Sequence, residues 1–224
     1  EENIAYKVAT KFFDAAKISD RGIEISIKKN IPVGAGLGGG SADGAAVLKM
    51  LNKMFETNFS IEQLAEIGVS VGADIPFCLY GATALVEGIG EKITPINRLP
   101  NCYIVVAKPA VSVNTANAFK AFDDSKTSCK VNVLSLIDAI KNANLISISH
   151  NLFNVFEQVI DIKEIENIKK IMHQYGALNQ IMTGSGSAVF GIFDDEKFAC
   201  NCAKMLKTYT DFSFLCNPIY EKNV

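Results

Sequence analysis

Several residue types and patterns that mark common protein classes are scarce in this sequence. Only two histidines, His150 and His173, occur in 224 residues, so a structural zinc site is not expected. The formal net charge is −2, whereas a nucleic-acid partner would select a strongly basic face. No apolar run approaches the roughly 20 residues that cross a bilayer. We therefore expect neither a nucleic-acid nor a membrane partner, and both a monomer and a homodimer stay open.

The six cysteines do not form the motifs of a disulfide framework or a metal site. No CxxC is accompanied by a second pair or by a histidine cluster, and a chain of this length buries a core without disulfides. Hydrophobic residues make up 49% of the chain and charged residues 21%, as is typical of a folded protein. We expect reduced thiols and a cytoplasmic location.

Hydrophobic periodicity predicts helices and strands that alternate without a regular strand–helix–strand repeat, so the fold class is α+β. Ser41 and Ser60 are predicted helix N-caps. Thr94–Asn101, with a proline near each end, is a predicted boundary between domains 1–97 and 98–224. The predicted helices are 3–17, 41–55, 61–67, a loop and helix at 112–122, 131–143, 152–160, 163–175 and 195–208, and the strands are 22–29, 82–87, 102–107, 179–183, 187–193 and 211–216.

The segment Pro32–Ser41 carries five glycines in positions 34–40, between a predicted strand and a predicted helix. Adjacent glycines cost conformational entropy, up to about 1 kcal/mol each in regular structure. That cost is understandable where backbone N–H groups must approach a ligand closely. Because the free N–H groups and positive dipole end of the next helix face the same loop, the segment predicts a phosphate site. The alternative is a flexible loop that Ser41 merely caps.

The type of phosphate loop follows from what surrounds the glycines. A Walker A loop needs a lysine before its Ser or Thr, but here Ser41 follows Gly40 directly, which excludes it. Gly34, Gly36 and Gly39 satisfy GxGxxG, so a dinucleotide fold must be weighed. That fold expects a second strand after the helix, whereas this chain has a predicted second helix. A dehydrogenase is therefore a minor alternative.

Asp74 is the only charged residue in the apolar stretch Ile67–Tyr80. A buried carboxylate without a partner is costly, so this residue should be capped, paired or functional. One alternative is a turn or N-cap aspartate ahead of Pro76. The other is a group that takes part in proton transfer.

Three segments resemble a known family: residues 32–43 (PVGAGLGGGSAD), 71–77 (VGADIPF) and 183–188 (TGSGSA). They resemble motifs of the galactokinase, homoserine kinase, mevalonate kinase and phosphomevalonate kinase superfamily. The triple glycine followed by Ser-Ala-Asp resembles in particular the 4-diphosphocytidyl-2-C-methyl-D-erythritol kinases of non-mevalonate isoprenoid synthesis. The resemblance implies a two-domain small-molecule kinase fold with the active site in the cleft between domains. It also implies ATP and Mg²⁺, and a small-molecule substrate phosphorylated on its 2-hydroxyl.

The resemblance also implies roles for individual residues. Asp74 would be the general base, Ser41 would coordinate Mg²⁺, and Thr115 would lie near the substrate together with the late turn, Thr183, Gly184, Ser185 and Gly186. The residues implied in ATP binding are Lys29, Pro32, Val33, Gly34, Ala35, Gly36, Leu37, Gly38, Gly39, Gly40, Ser41 and Ala42.

The front of the chain departs from the family pattern. The family's first motif, which supplies a lysine beside the catalytic aspartate, has no counterpart in this sequence. We therefore expect the N-terminal strands to be missing and the 224 residues alone to show little kinase activity. The alternatives are another kinase of the superfamily, of the homoserine or mevalonate type, and an inactive nucleotide-binding fragment.

Overall fold

A computed structural model describes residues 3–20, 22–125 and 131–219 of the chain. The described residues form two compact units. The first comprises residues up to Ile31 and Gly38–Asn97, and the second comprises Pro32–Leu37 and the residues from Arg98 onward. Helices and strands occur in an irregular order, which confirms the predicted α+β class.

The first unit is mainly helical. Its elements are α1 (Ile4–Ala16), α2 (Gly39–Met54), α3 (Ile61–Val69), α4 (Ile75–Tyr80), β1 (Ala84–Glu87) and β2 (Lys92–Pro95). Val8 and Phe12 of α1 recur at helical spacing and are fully buried in one core with Leu48 of α2. Ser60 caps α3 as predicted, and it shares a reciprocal capping box with Gln63, which satisfies two otherwise free N–H groups.

The predicted strand at 22–29 is wrong. Residues 22–31 are neither helix nor strand, and no strand pairs with them among the described residues. The alternating isoleucines have a different role, since Ile23, Ile25 and Ile27 line a groove together with α1. Alternating apolar and polar residues indicate that one side of the segment is buried. A strand also needs a neighbouring strand with which its backbone can form hydrogen bonds.

The second unit is built on an antiparallel sheet in the order β4-β5-β3-β6. Val105 of the central strand β3 lies opposite Gly191 of β5 and Leu215 of β6. Helices α8 and α9 pack against the sheet, and their buried side chains share its core. The elements are β3 (Tyr103–Lys108), α5 (Thr115–Asp124), α6 (Val133–Lys141), α7 (Leu145–His150), a 3₁₀ helix (Val155–Gln158), α8 (Lys163–Gln174), β4 (Asn179–Met182), β5 (Val189–Phe193), α9 (Glu196–Tyr209) and β6 (Phe212–Cys216).

Four further differences from the sequence prediction concern short elements. Within the predicted helix 152–160 the structure has only the 3₁₀ turn Val155–Gln158. The side chain of Asn154 accepts the Phe156 N–H at the start of this turn and donates to the Met182 carbonyl. None of α4, α7 and β2 was predicted. The other predicted elements are present, with ends shifted by a few residues at most.

The cysteines within the described residues, at positions 78, 102, 200, 202 and 216, are free thiols. Burial raises the pKa of Cys102 to about 11, with a smaller contribution from Cys216, and burial raises that of Cys202 to about 12. The raised pKa values mean that the thiols of Cys102 and Cys202 are protonated at neutral pH. Cys129 lies outside the described residues. None of the helices in the described part of the chain is long and apolar enough to cross a membrane.

Candidate active site

The start of α2 is the first candidate element, and it differs from the prediction at Ser41. The helix begins at Gly39, with Gly38 as N-cap at a φ of 64°, so Ser41 is its third residue and not its cap. The Gly38 carbonyl accepts the first helical bond from Ala42 N–H at 2.9 Å. The N-cap prediction is therefore wrong. A serine is favoured as N-cap for its side-chain oxygen, whereas this helix begins on a backbone conformation that favours glycine.

No side chain caps the N-terminus of α2. The N–H groups of Gly39, Gly40 and Ser41 donate to no acceptor in the residues that the structure describes. These donors lie at the positive end of a 16-residue helix, and they remain partly accessible. Free N–H groups and the helix dipole together favour an anion at this place. The arrangement is suited to a phosphate group.

Lys29 and Asp43 form an ion pair at the first turns of α2. Their side chains are 37% and 29% exposed, respectively. Such a pair adds little stability, typically about 0–1 kcal/mol. The pair matters for electrostatics. The Asp43 carboxylate would repel an anion at the start of α2, one turn away, and the Lys29 ammonium compensates its charge. Lys29 was predicted near the nucleotide, and this pairing brings it to the first turns of α2.

The first half of the glycine-rich segment has a different setting, within the second unit. Ala35 is 2% exposed and its carbonyl accepts the Ala188 N–H at 3.0 Å. The hydroxyl of Thr183 donates to the Gly36 carbonyl at 3.0 Å. A Cβ on Gly36 would lie 2.1 Å from the Thr183 carbonyl oxygen. The structure thus brings residues 35–36 together with the late turn 183–188, two of the segments singled out from the sequence.

Thr115 also meets this late turn. Its hydroxyl and that of Ser185 are 2.9 Å apart in a hydrogen bond, and Ser185 is 8% exposed. Thr115 is the first residue of α5, capped by Asn114, whose side chain accepts the Asn117 N–H. Two residues that were predicted from the resemblance to lie near the substrate therefore contact each other directly.

Asn154 supports the late turn and was missed in the sequence. Its side-chain amide donates to the carbonyls of Met182 at 2.7 Å and Gly184 at 2.8 Å. The Glu157 carboxylate accepts the Met182 N–H at 2.8 Å and pairs with Lys169 at 3.1 Å. A helix was predicted across both residues, which hid the polar side chains that face the turn. The sequence signal that could have identified Asn154 is an asparagine before a short apolar run, because asparagine is a common helix N-cap.

Lys108 is a second residue that sequence reasoning missed. It ends β3 and is 9% exposed. Its ammonium donates to the carbonyls of Pro109 at 3.0 Å and Val111 at 3.3 Å, and to the Ser112 hydroxyl at 3.3 Å. The Ser187 hydroxyl donates to the same Val111 carbonyl. Lysine is rarely buried without a partner, so a lysine that ends an apolar strand is a signal for such a site.

Asp74 lies at the N-cap position of α4, in the first unit, with φ −88° and ψ −7°. It is exposed, so the expectation of a carboxylate buried in an apolar stretch is wrong. The apolar residues around it follow the helical period of α4, which buries Ile75 and Leu79 and leaves Asp74 outside. The carboxylate makes no capping hydrogen bond, and no described side chain pairs with it.

The thiol of Cys78 lies near the Asp74 carboxylate. Burial raises the pKa of Cys78, the Asp74 carboxylate raises it further, and the Lys49 ammonium of α2 lowers it. Since a group that takes a proton from a substrate must be accessible and free of competing donors, Asp74 meets both conditions.

Comparison with known proteins gives the family. Residues 3–82 match the GHMP kinases N terminal domain, and residues 134–207 match the GHMP kinases C terminal domain. A curated relative from Clostridium perfringens is 46% identical over 209 residues, which cover 92% of this chain and 72% of the relative. Another, from Caldicellulosiruptor bescii, is 48% identical over 192 residues, which cover 84% of this chain and 67% of the relative. Both are named 4-diphosphocytidyl-2-C-methyl-D-erythritol kinase.

A solved structure agrees with these relatives. The crystal structure of a 4-(cytidine 5'-diphospho)-2C-methyl-D-erythritol kinase is 29% identical and superposes with a TM-score of 0.81, covering 96% of this chain and 77% of that one. The resemblance drawn from the three sequence motifs is thereby confirmed, together with the kinase fold. The chain belongs to the GHMP kinase family, among the 4-diphosphocytidyl-2-C-methyl-D-erythritol kinases.

Proposed function

We propose that this chain carries out the ATP-dependent phosphorylation of the 2-hydroxyl of 4-diphosphocytidyl-2-C-methyl-D-erythritol, a step of non-mevalonate isoprenoid synthesis. The observation that carries the proposal is the 44–48% identity to curated kinases of that one name over most of the chain. Free thiols among the described cysteines are consistent with a cytoplasmic enzyme. Domain 1–97 would bind most of the ATP, and domain 98–224 would form the substrate side.

ATP would bind through the glycine-rich segment and the start of α2. The N–H groups of Gly39, Gly40 and Ser41, which lack acceptors among the described residues, support phosphate binding there. The pairing of Lys29 with Asp43 removes a nearby repulsion. Since phosphoryl transfer depends mostly on positioning and charge stabilisation, fixed donors of this kind would contribute without having to reorganise.

Mg²⁺ would be held mainly by the ATP phosphates, with the Ser41 hydroxyl as the protein ligand. That hydroxyl makes no hydrogen bond to a described residue, so the oxygen is available. No group of three His, Cys, Asp or Glu side chains suited to a metal occurs in the part of the chain that the structure describes. This donor set fits a hard cation that keeps waters and phosphate oxygens as ligands, and the ion would neutralise charge on the transferred phosphoryl group.

Asp74 would take the proton from the attacking hydroxyl. Its exposed carboxylate has no hydrogen-bonded partner among the described residues, which supports a role in accepting a proton from a bound substrate. Thr115, Ser185 and the turn from Thr183 to Gly186 would bind that substrate. The Thr115–Ser185 hydrogen bond and the bond from Thr183 to the Gly36 carbonyl would hold polar groups in fixed positions, which favours selectivity.

Replacing Asp74 tests the proposed chemistry. In the enzyme expressed from its complete gene, Asp74→Asn should lower kcat by at least ~10²-fold while the Kd for ATP changes little, because only the proton acceptor is lost. Asp161→Asn, which also removes an exposed aspartate carboxylate, is the control and should retain kcat. Turnover at the wild-type rate in Asp74→Asn would remove this residue from the mechanism.

A substrate panel tests the proposed specificity. ADP release should be fast with 4-diphosphocytidyl-2-C-methyl-D-erythritol and at least ~10²-fold slower with homoserine or mevalonate, because a polar site discriminates strongly against a substrate that leaves its groups unpaired. Preference for homoserine or mevalonate would favour the sister kinases. ATP binding without turnover of any of the three would favour a non-catalytic nucleotide-binding protein.

A further inference from the structure

The carboxylate of Asp74 is not held in place by hydrogen bonds of its own. Among the described residues it makes no capping bond at the start of α4, and its main-chain carbonyl accepts the helical bond from Cys78 N–H at 3.2 Å. The direction of the side chain therefore depends on the backbone at residues 73–74. A general base must lie within hydrogen-bond reach of the proton that it takes, so whatever fixes this backbone affects the rate.

The turn between β1 and β2 lies against that backbone, within the same unit. Gly90 is buried in this turn at a φ of 116°. A Cβ at Gly90 would lie 2.2 Å from the carbonyl oxygen of Ala73 and 3.3 Å from the Ala73 Cβ. Only a residue without a side chain allows so close an approach. The turn therefore contacts the residue that immediately precedes Asp74.

The turn itself is rigid for local reasons. The Glu91 carboxylate accepts the Ile89 N–H at 2.7 Å, and the Gly90 N–H bonds to the Glu87 carbonyl at 3.3 Å. The N–H groups of Glu91 and then Ile89 lower the pKa of the Glu91 carboxyl. These bonds close the turn independently of Ala73, so the turn can serve as a fixed support.

Within the described residues, no side chain of β1 or β2 belongs to the buried core of the first unit. The β1–β2 hairpin is a two-stranded sheet, and such a hairpin is marginally stable by itself. Ile89 at its tip is 76% exposed, so the tip adds little to the core. The tight contact at Ala73 is what distinguishes this turn from an ordinary surface hairpin.

We propose that the β1–β2 turn, through Gly90, is a positioning element for Asp74, setting the backbone that aims its carboxylate. The inference rests on the proposed role of Asp74 as general base. A methyl group at Gly90 would push Ala73 and Asp74 by about an ångström, and a misplacement of that size can cost about 10²-fold in rate. ATP binding, which is assigned to α2, should be unaffected.

The test compares two glycine substitutions in the enzyme expressed from its complete gene. Gly90→Ala should lower kcat by about 10- to 100-fold, with the KM for ATP unchanged within about 2-fold. Gly81→Ala is the matched control, because Gly81 also has a positive φ, 58°, but no atom of the described residues lies within 4 Å of an added Cβ. It should carry a conformational cost without the loss of kcat. Equal kcat values for the two variants would overturn the proposal.

A double-mutant cycle separates positioning from general damage. In the Asp74→Asn background, Gly90→Ala should lower kcat by less than about 2-fold, because there is no base left to misplace. The same large factor in both backgrounds would overturn the proposal while leaving Asp74 as the base. Wild-type turnover in Asp74→Asn alone would overturn the base assignment and this inference with it.

A second variant covers the case in which Gly90→Ala does not fold. Glu91→Ala adds no atom near Ala73 but removes the acceptor of the Ile89 N–H. The loosened turn should lower kcat by about 3- to 10-fold, with the same disappearance of the effect in Asp74→Asn. A Glu91→Ala enzyme with wild-type kcat would contradict the role of the turn.

Discussion

Gly36 and Gly38, two neighbouring glycines of the glycine-rich segment, are required for opposite reasons. In Pro32–Leu37, Gly36 is required because a Cβ would lie 2.1 Å from a backbone oxygen of the late turn. At Gly38 the φ of 64° also favours glycine, but no described atom lies within 4 Å of an added Cβ. Gly36 therefore allows close packing, whereas Gly38 leaves open space; the next residue, Gly39, is again a packing position, since its Cβ would lie 2.8 Å from Cγ2 of Ile31.

The backbone beside these two glycines differs as well. The carbonyls of Ala35 and Gly36 accept bonds from Ala188 and Thr183, which hold this part of the segment to the late turn. The N–H groups of Gly39 and Gly40, which follow Gly38 at the start of α2, lack acceptors among the described residues. We expect substitution of Gly36 to act on stability and substitution of Gly38 to act on ATP affinity.

The largest effect is expected at Gly36. Gly36→Ala should lower the free energy of unfolding by about 3 kcal/mol, the sum of left-handed backbone strain and overpacking. For a chain of this size that corresponds to a fall in Tm of about 6–12 °C, measured by thermal unfolding. Gly34→Ala is the control, since Gly34 has a φ of 65° but its added Cβ would have only ordinary contacts, at 3.6 Å from Ser112. A Tm for Gly36→Ala no lower than that of Gly34→Ala would contradict the packing role.

An intermediate effect is expected from Asn154, which supports the late turn against which Gly36 packs. Asn154→Ala removes the donor to two carbonyls, those of Met182 and Gly184, and should cost about 2 kcal/mol in the free energy of unfolding by denaturant titration. Asn142→Ala, which removes an exposed amide bonded to the Asp138 carbonyl, should cost under about 0.5 kcal/mol. Equal losses would mean that the turn does not depend on Asn154.

Sequence reasoning found most helices and strands, because periodicity and caps are local signals. Ser60 illustrates this, since both members of its capping box lie within four residues. The strand predicted at 22–29 failed because pairing depends on residues far away in the chain. Asp74 was recognised as unusual, but its exposure depends on the start of α4, which the apolar run hid.

The same distinction explains the site. The glycine count predicted a phosphate loop, but the spatial neighbours of each glycine decide its purpose, and those neighbours are up to 150 residues away, as with Gly36 and Thr183 at a separation of 147. Asn154 was missed for the same reason, since the Met182 carbonyl that it supports is 28 residues away. Lys108 was missed although its partners are local, because its burial at the end of β3 is set by packing.

The smallest effect on stability, and the sharpest test of the comparison, is expected at Gly38. Gly38→Ala should cost about 1 kcal/mol in the free energy of unfolding, from left-handed strain alone. Gly81→Ala should cost the same amount, since its φ of 58° and open surroundings match. The two variants should differ in the Kd for ATP, measured by calorimetry: about 10-fold weaker for Gly38→Ala, whose methyl group would stand beside the free N–H groups of α2, and unchanged for Gly81→Ala. If Gly38→Ala binds ATP as tightly as Gly81→Ala does, the space at Gly38 serves the backbone turn and not a ligand.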